Sequence, residues 1–129
     1  MVWHPNKYAN LLAEKMKKNN VNAWLVNTGW TGGSFGTGKR MKLKFTRSMI
    51  DSINNGSLIK QEFEEGPFGL MIPKKCENVP DEILMPRKTW ENKEKYDETL
   101  KKLNQLFANN FEQFKEKCDK EIVESGPHL

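Results

Sequence analysis

The chain has 129 residues, 36% of them hydrophobic and 29% charged, with a formal net charge of +4. That length allows one domain with a modest core, and that composition excludes a disordered chain. No apolar run approaches the about 18 residues a membrane span needs, and MVWHPNKY lacks an apolar signal core, so neither membrane insertion nor secretion is expected.

Pro5 to Asn19 reads as a helix, with Tyr8, Leu11, Leu12 and Met16 at helical spacing and Pro5 suited to the first turn. Asn19-Asn20 is its stop. Val21 to Asn27 reads as a strand whose apolar centre, Ala23-Trp24-Leu25-Val26, predicts cover on both faces. A glycine-rich loop follows. Met41, Leu43 and Phe45 then alternate with Lys42 and Lys44, which predicts a half-buried strand with a basic outer face. Thr46 is a candidate cap for a short helical stripe of Met49, Ile50 and Ile53 that ends at Asn55-Gly56.

Residues 61–73 suggest an irregular hairpin or two short strands around Gly66-Pro67. Asp81–Leu84 allows one turn of helix. Tyr96, Leu100, Leu103, Phe107, Phe111 and Phe114 step by three and four, which predicts a helix from Lys93 to about Lys117 with an aromatic packing face. Asp97–Lys101 and Glu98–Lys102 are candidate i,i+4 pairs along it.

Few residues suit nucleophilic or metal chemistry. Cys76 and Cys118 lie in no CxxC pair and read as reduced thiols. His4 and His128 sit near opposite ends, too isolated for a zinc site or a held catalytic base. Neither a catalytic residue nor a metal ligand is assigned.

The loop is the informative stretch. Five glycines (Gly29, Gly32, Gly33, Gly36, Gly38) fall within ten residues and are followed by Lys39-Arg40. Gly33 to Lys39 satisfies GxxxxGK, but a phosphate loop then needs a Ser or Thr hydroxyl for Mg²⁺ and must open a helix. Arg40 occupies the hydroxyl position and only donates hydrogen bonds. The alternation after it reads as strand. The loop is therefore either a plain connection or a lid at a nucleotide's edge. In the second case the Arg40 guanidinium could stack on a purine, Thr46 could meet the base edge, and Lys39 and Lys44 would add positive potential.

Longer stretches carry a resemblance. NTGWTGGSFGTGKRMKLKFTRSMIDSINNG resembles the C-terminal part of ATP-dependent phosphoenolpyruvate carboxykinase. HPNKYANLLAEKMKKNNVNAWLVNTGW is similar to the helix and strand that precede it in that family. FGLMIPKKCENVPDEILMPRKTW is similar to the family's IPxxxPGVPxEILNPRxTW segment, and the long last helix and GPHL end also fit. Asn78 departs from the usual Gly, and Met85 and Lys88 from the Asn-like positions around Pro86-Arg87.

The resemblance implies an α/β fold: residues 1–129 as one partial domain, the C-terminal fragment of a mononucleotide-binding domain. That fold has a mixed sheet, flanking helices and a long C-terminal helix. It implies a cytoplasmic lyase of gluconeogenesis that converts oxaloacetate and ATP to phosphoenolpyruvate, CO₂ and ADP. ATP and a divalent metal (Mg or Mn) are the implied cofactors, with the true phosphate loop, metal ligands and oxaloacetate-binding arginine upstream of this chain. Here Arg40 would stack on adenine, Met41 would line the base pocket and Thr46 would hydrogen-bond nearby. The tip at 31–35 is assigned no contact.

Such a piece is expected to be inactive alone, to expose apolar sheet surface and edges, and so to be prone to self-association. Neither a nucleic acid nor a membrane is expected as a partner. The competing reading is a small basic module for RNA or another polyanion. Its patch would be Lys39, Arg40, Lys42, Lys44 and Arg47, with Trp30 and Phe35 as stacking side chains.

Overall fold

The computed structural model describes residues 3–126. The GPHL end, beyond its Gly126, and His128 lie outside the described residues.

Helix α1 (Pro5–Asn19) begins as its sequence requires. Pro5 fills the first helical position, and the Nδ1 of His4 accepts a hydrogen bond from the Asn6 N–H at 3.2 Å. It ends at Asn20, whose φ of 48° is the left-handed stop that asparagine tolerates. The first turn meets the far end of the chain. His4 packs edge-on against Phe114, and the Asn6 side chain donates to the Lys117 carbonyl. Its apolar stripe finds little cover, and Tyr8, Leu11 and Leu12 are exposed.

Val21–Asn27 is not a strand. The alternation is present: Trp24 and Val26 pack against the core while Leu25 is 84% exposed. A strand also needs a neighbouring backbone to complete its hydrogen-bond ladder, and no described segment pairs with this one. The expectation that both faces would be covered fails for the same reason.

The glycine loop is closed by a two-residue antiparallel ribbon, β1 (Trp30–Thr31) and β2 (Lys39–Arg40), with Trp30 opposite Arg40 and Thr31 opposite Lys39. Helix α2 (Leu43–Asn54) follows where the sequence suggests a strand. Phe45, Met49 and Ile53 recur every four residues, and this helical period prevails over the short alternation. The N-cap of α2 is Lys42, without a side-chain cap bond, so Thr46 lies in the first turn and caps nothing. The helix stops at Asn55, and Gly56 takes a φ of 72°, as the Asn-Gly pair suggests.

Strands β3 (Phe63–Glu65) and β4 (Met71–Pro73) form the expected hairpin, antiparallel, with Glu64 opposite Ile72. Helix α3 (Asp81–Leu84) is the anticipated turn. A second short helix, α4 (Pro86–Thr89), follows at once, with Pro86 opening it. Helix α5 (Lys93–Lys115) starts at Asn92, whose side-chain oxygen accepts from the Lys95 N–H at 2.9 Å. A short α6 (Lys120–Glu124) ends the described chain. The architecture therefore mixes helices with two separate two-stranded ribbons, and no larger mixed sheet forms among the described residues. No described helix is long and apolar enough to cross a membrane.

The core is small. Met49, Leu58, Cys76 and Val79 form it, flanked by Trp24, Phe45 and Ile83. Along the α5 stripe Tyr96 is buried and meets Trp90 edge-on at 5.6 Å, Phe107 meets Phe68 and Phe114 meets His4, while Leu103 and Phe107 stay largely exposed. Both cysteines are free thiols.

Asp97 does not pair with Lys101 as its spacing suggests. It accepts two hydrogen bonds from Arg87 at 2.8 Å each, a bidentate fork that ties α4 to α5. These bonds hold the Asp97 carboxyl below its ordinary 3.8, against a weaker opposing effect of burial. A depressed carboxylate stabilises the fold above its ordinary value, and that stabilisation is lost as pH falls through the lowered one. Amide exchange in α4 is therefore expected to accelerate only below pH 3.8. Asp97→Asn should abolish that acid step, and an identical step in the variant would refute the assignment.

Candidate functional site

The loop between β1 and β2 folds on itself. The Thr37 and Gly38 N–H groups both donate to the Ser34 carbonyl, at 3.0 and 2.8 Å. Gly33 and Gly38 approach so closely that a Cβ on Gly33 would lie 2.9 Å from the Gly38 nitrogen. This contact accounts for two of the glycines without a ligand. A phosphate cradle needs consecutive N–H groups pointing into an open concavity, and two of these are already committed. The sequence argument from a following strand does not hold, because α2 begins shortly after Arg40. The argument from Arg40 in the hydroxyl position does hold. Lys39 sits in a ribbon opposite Thr31, outside the helix that begins at Leu43.

Of the three candidate base contacts, Arg40 and Met41 are adjacent at the end of the ribbon and Thr46 lies in the helix that follows. Arg40 ends β2 with an exposed side chain that makes no hydrogen bond or ion pair among the described residues. Met41 is 7% exposed, and its N–H donates to the Gly29 carbonyl at 2.8 Å, which fixes the chain where it leaves the ribbon. Thr46 is half-buried in the first turn of α2. Arg40 and Met41 alternate as strand residues do, one outward and one inward. Thr46 lies in the first turn of the helix that the sequence reading missed.

Met41 lines a cavity of about 720 Å³ together with Trp24, Val26, Met49 and Leu58. No charged side chain lines it, and its polar residues are Asn22 and Asn27. Such a lining suits a flat apolar ring or a packed segment of protein. It does not suit a polyphosphate. Among the described residues no three His, Cys, Asp or Glu side chains gather to hold a metal ion.

The basic face is real: Lys39, Arg40, Lys42, Lys44 and Arg47 are all exposed. Trp30 and Phe35 pack against one another edge-on at 5.2 Å, with Phe35 82% exposed at the loop tip. One contact was not legible from the sequence. The loop's base is tied to α4 through Thr31 and Thr89, whose hydroxyl oxygens lie 3.0 Å apart across 58 positions.

Here the comparison with known proteins bears on the class. A family model described as phosphoenolpyruvate carboxykinase matches residues 1–82. The phosphoenolpyruvate carboxykinase (ATP) of Dictyostelium discoideum is 49% identical over 130 residues, which cover 100% of this chain and 23% of the relative. That of Flavobacterium johnsoniae is 50% identical over 128 residues, covering 98% and 24%. Phosphoenolpyruvate carboxykinase (ATP) 1 of Arabidopsis thaliana is 47% identical over 132 residues, covering 96% and 20%.

The chain belongs to the ATP-dependent phosphoenolpyruvate carboxykinase family. It spans about a quarter of the length of these curated relatives.

Proposed function

We propose that this chain is the C-terminal portion of an ATP-dependent phosphoenolpyruvate carboxykinase of the cytoplasm and that it supplies the adenine-side edge of the nucleotide site. Arg40 stacks on the purine, Met41 forms part of the apolar wall beside it, and Thr46 hydrogen-bonds near the base. The whole enzyme would convert oxaloacetate and ATP to phosphoenolpyruvate, CO₂ and ADP. Its divalent metal and the phosphate loop would be held by the remainder of the polypeptide. When bound, the metal supplies charge neutralisation at the transferring phosphoryl group. The residues here orient the opposite end of the nucleotide.

The observation that carries this reading is the exposed Arg40 guanidinium, which makes no hydrogen bond or ion pair among the described residues, next in the chain to a buried Met41 that lines an apolar cavity. A planar cation is attracted to the face of an aromatic ring, by about 0.5 kcal/mol when exposed and about 2 kcal/mol when desolvated. In the full-length enzyme carrying this chain, Arg40→Ala is expected to raise KM for ATP about tenfold, equal to about 1.4 kcal/mol. KM for oxaloacetate should hold within about twofold. Arg40→Lys should recover only part of the loss, because an ammonium lacks the planar face. An unchanged KM for ATP with unchanged kcat in Arg40→Ala would dismiss the assignment.

A further inference from the structure

We infer that Thr31 and Thr89 are positioning residues that hold the adenine-side loop on α4, and through α4 on the C-terminal helix. This rests on the reading of Arg40, Met41 and Thr46 above.

Three independent contacts build the connection. The first is the hydroxyl pair. Thr89 Oγ1 lies 2.7 Å from the Pro86 carbonyl oxygen and 3.0 Å from Thr31 Oγ1. A carbonyl only accepts, so the single Thr89 proton goes to Pro86, and the Thr31 hydroxyl must donate to Thr89. The second is a close backbone approach. Gly32 has a φ of 76°, and a Cβ added there would lie 3.0 Å from the Thr89 carbonyl oxygen. Only glycine fits that position without strain. The third is the attachment of α4 itself, by the Arg87–Asp97 fork and the edge-on Trp90–Tyr96 pair.

Thr31 and Arg40 belong to the same two-strand ribbon: Thr31 lies opposite Lys39, and Arg40 opposite Trp30. A ribbon of two residues per strand has little rigidity of its own. Whatever fixes Thr31 and Gly32 therefore fixes the Arg40 backbone. The contact lies where the ribbon meets the glycine loop, one residue pair from Arg40, so it holds the base of the loop and the ribbon together.

Thr31→Val keeps the β-branched shape and removes the donor, and Thr31→Ser keeps the donor. In the 129-residue chain, Thr31→Val is expected to accelerate amide exchange of residues 39–41 about three- to tenfold, the worth of one neutral hydrogen bond. Thr31→Ser should leave that exchange near wild type. In the full-length enzyme, Thr31→Val should raise KM for ATP by a similar factor, with KM for oxaloacetate and kcat within about twofold. Gly32→Ala should raise it further.

Unchanged exchange in both Thr31→Val and Gly32→Ala would overturn the tether. Faster exchange with an unchanged KM for ATP, while Arg40→Ala raises that KM, would overturn the positioning role and leave the base site standing. If Arg40→Ala also leaves KM unchanged, the site reading fails and this inference with it.

Discussion

Residues 1–129 alone are expected to show no turnover of oxaloacetate with ATP and Mg²⁺ or Mn²⁺, and no ATP affinity better than millimolar. Phosphoryl transfer is almost entirely a matter of placing phosphates and metal, and this chain offers little to either. No described cluster of acidic or imidazole side chains can take a metal ion. The Thr37 and Gly38 N–H groups that a phosphate would need already donate to Ser34. What remains is the base. Stacking on Arg40 contributes at most about 2 kcal/mol, and one hydrogen bond near Thr46 about 0.5–1.5 kcal/mol. Association itself costs roughly 4–15 kcal/mol, while a millimolar complex needs about −4.1 kcal/mol net. Calorimetric titration should therefore give no resolvable heat at micromolar protein. A micromolar dissociation constant for ATP would mean that a phosphate site exists within this chain.

The isolated chain is also expected to self-associate at micromolar concentration. It exposes 10153 Å², against about 7,000 Å² for a folded monomer of 15.0 kDa. The excess of about 3,000 Å² exceeds the roughly 1,000–2,500 Å² per chain buried in obligate homodimers. Much of it is apolar. Leu25, Leu12, Met71 and Leu106 are all more than half exposed. Segment 22–28 offers backbone with no ladder partner among the described residues, a template for strand pairing. Analytical ultracentrifugation should show dimers or larger species, and ANS should fluoresce on binding. Leu25→Lys should shift the distribution toward monomer without loss of fold, because at 84% exposure Leu25 contributes almost nothing to the core. A compact monomer that binds no ANS would contradict this. In the whole enzyme, the remainder of the polypeptide would cover the same surface.

The legible parts of the fold are those whose signals are local. Pro5 and Asn20 bracket α1, the Asn-Gly pair ends α2, and the aromatic stripe marks α5. The illegible parts depend on partners. Val21–Asn27 has strand composition and alternates correctly, yet becomes no strand without a neighbour. Residues 41–45 show a five-residue alternation that fits period two as well as the start of a helix, and packing of Phe45 and Met49 on the core decides it. Asp97 reaches across to Arg87 and leaves its own helix neighbour, because a planar guanidinium offers two aligned donors where Lys101 offers a mobile one.

The candidate site divides in the same way. Arg40 and Thr46 are legible from side-chain chemistry, and Met41 follows from the family resemblance. The placement of Thr46 in a helix, and the Thr31–Thr89 contact across 58 positions, come from tertiary structure alone. The phosphate motif shows the opposite case. Its spacing is present from Gly33 to Lys39, yet Arg40 replaces the required hydroxyl and the loop spends its Thr37 and Gly38 N–H groups on Ser34.

Photolabelling tests the adenine-edge reading most directly. The full-length enzyme carrying this chain is irradiated with 8-azido-ATP, whose reactive group sits on the purine, and the labelled peptide is sequenced. Label within residues 29–47, suppressed by excess ATP, is the predicted result. ATP-protected label confined to other parts of the enzyme, with none in residues 29–47, would contradict it.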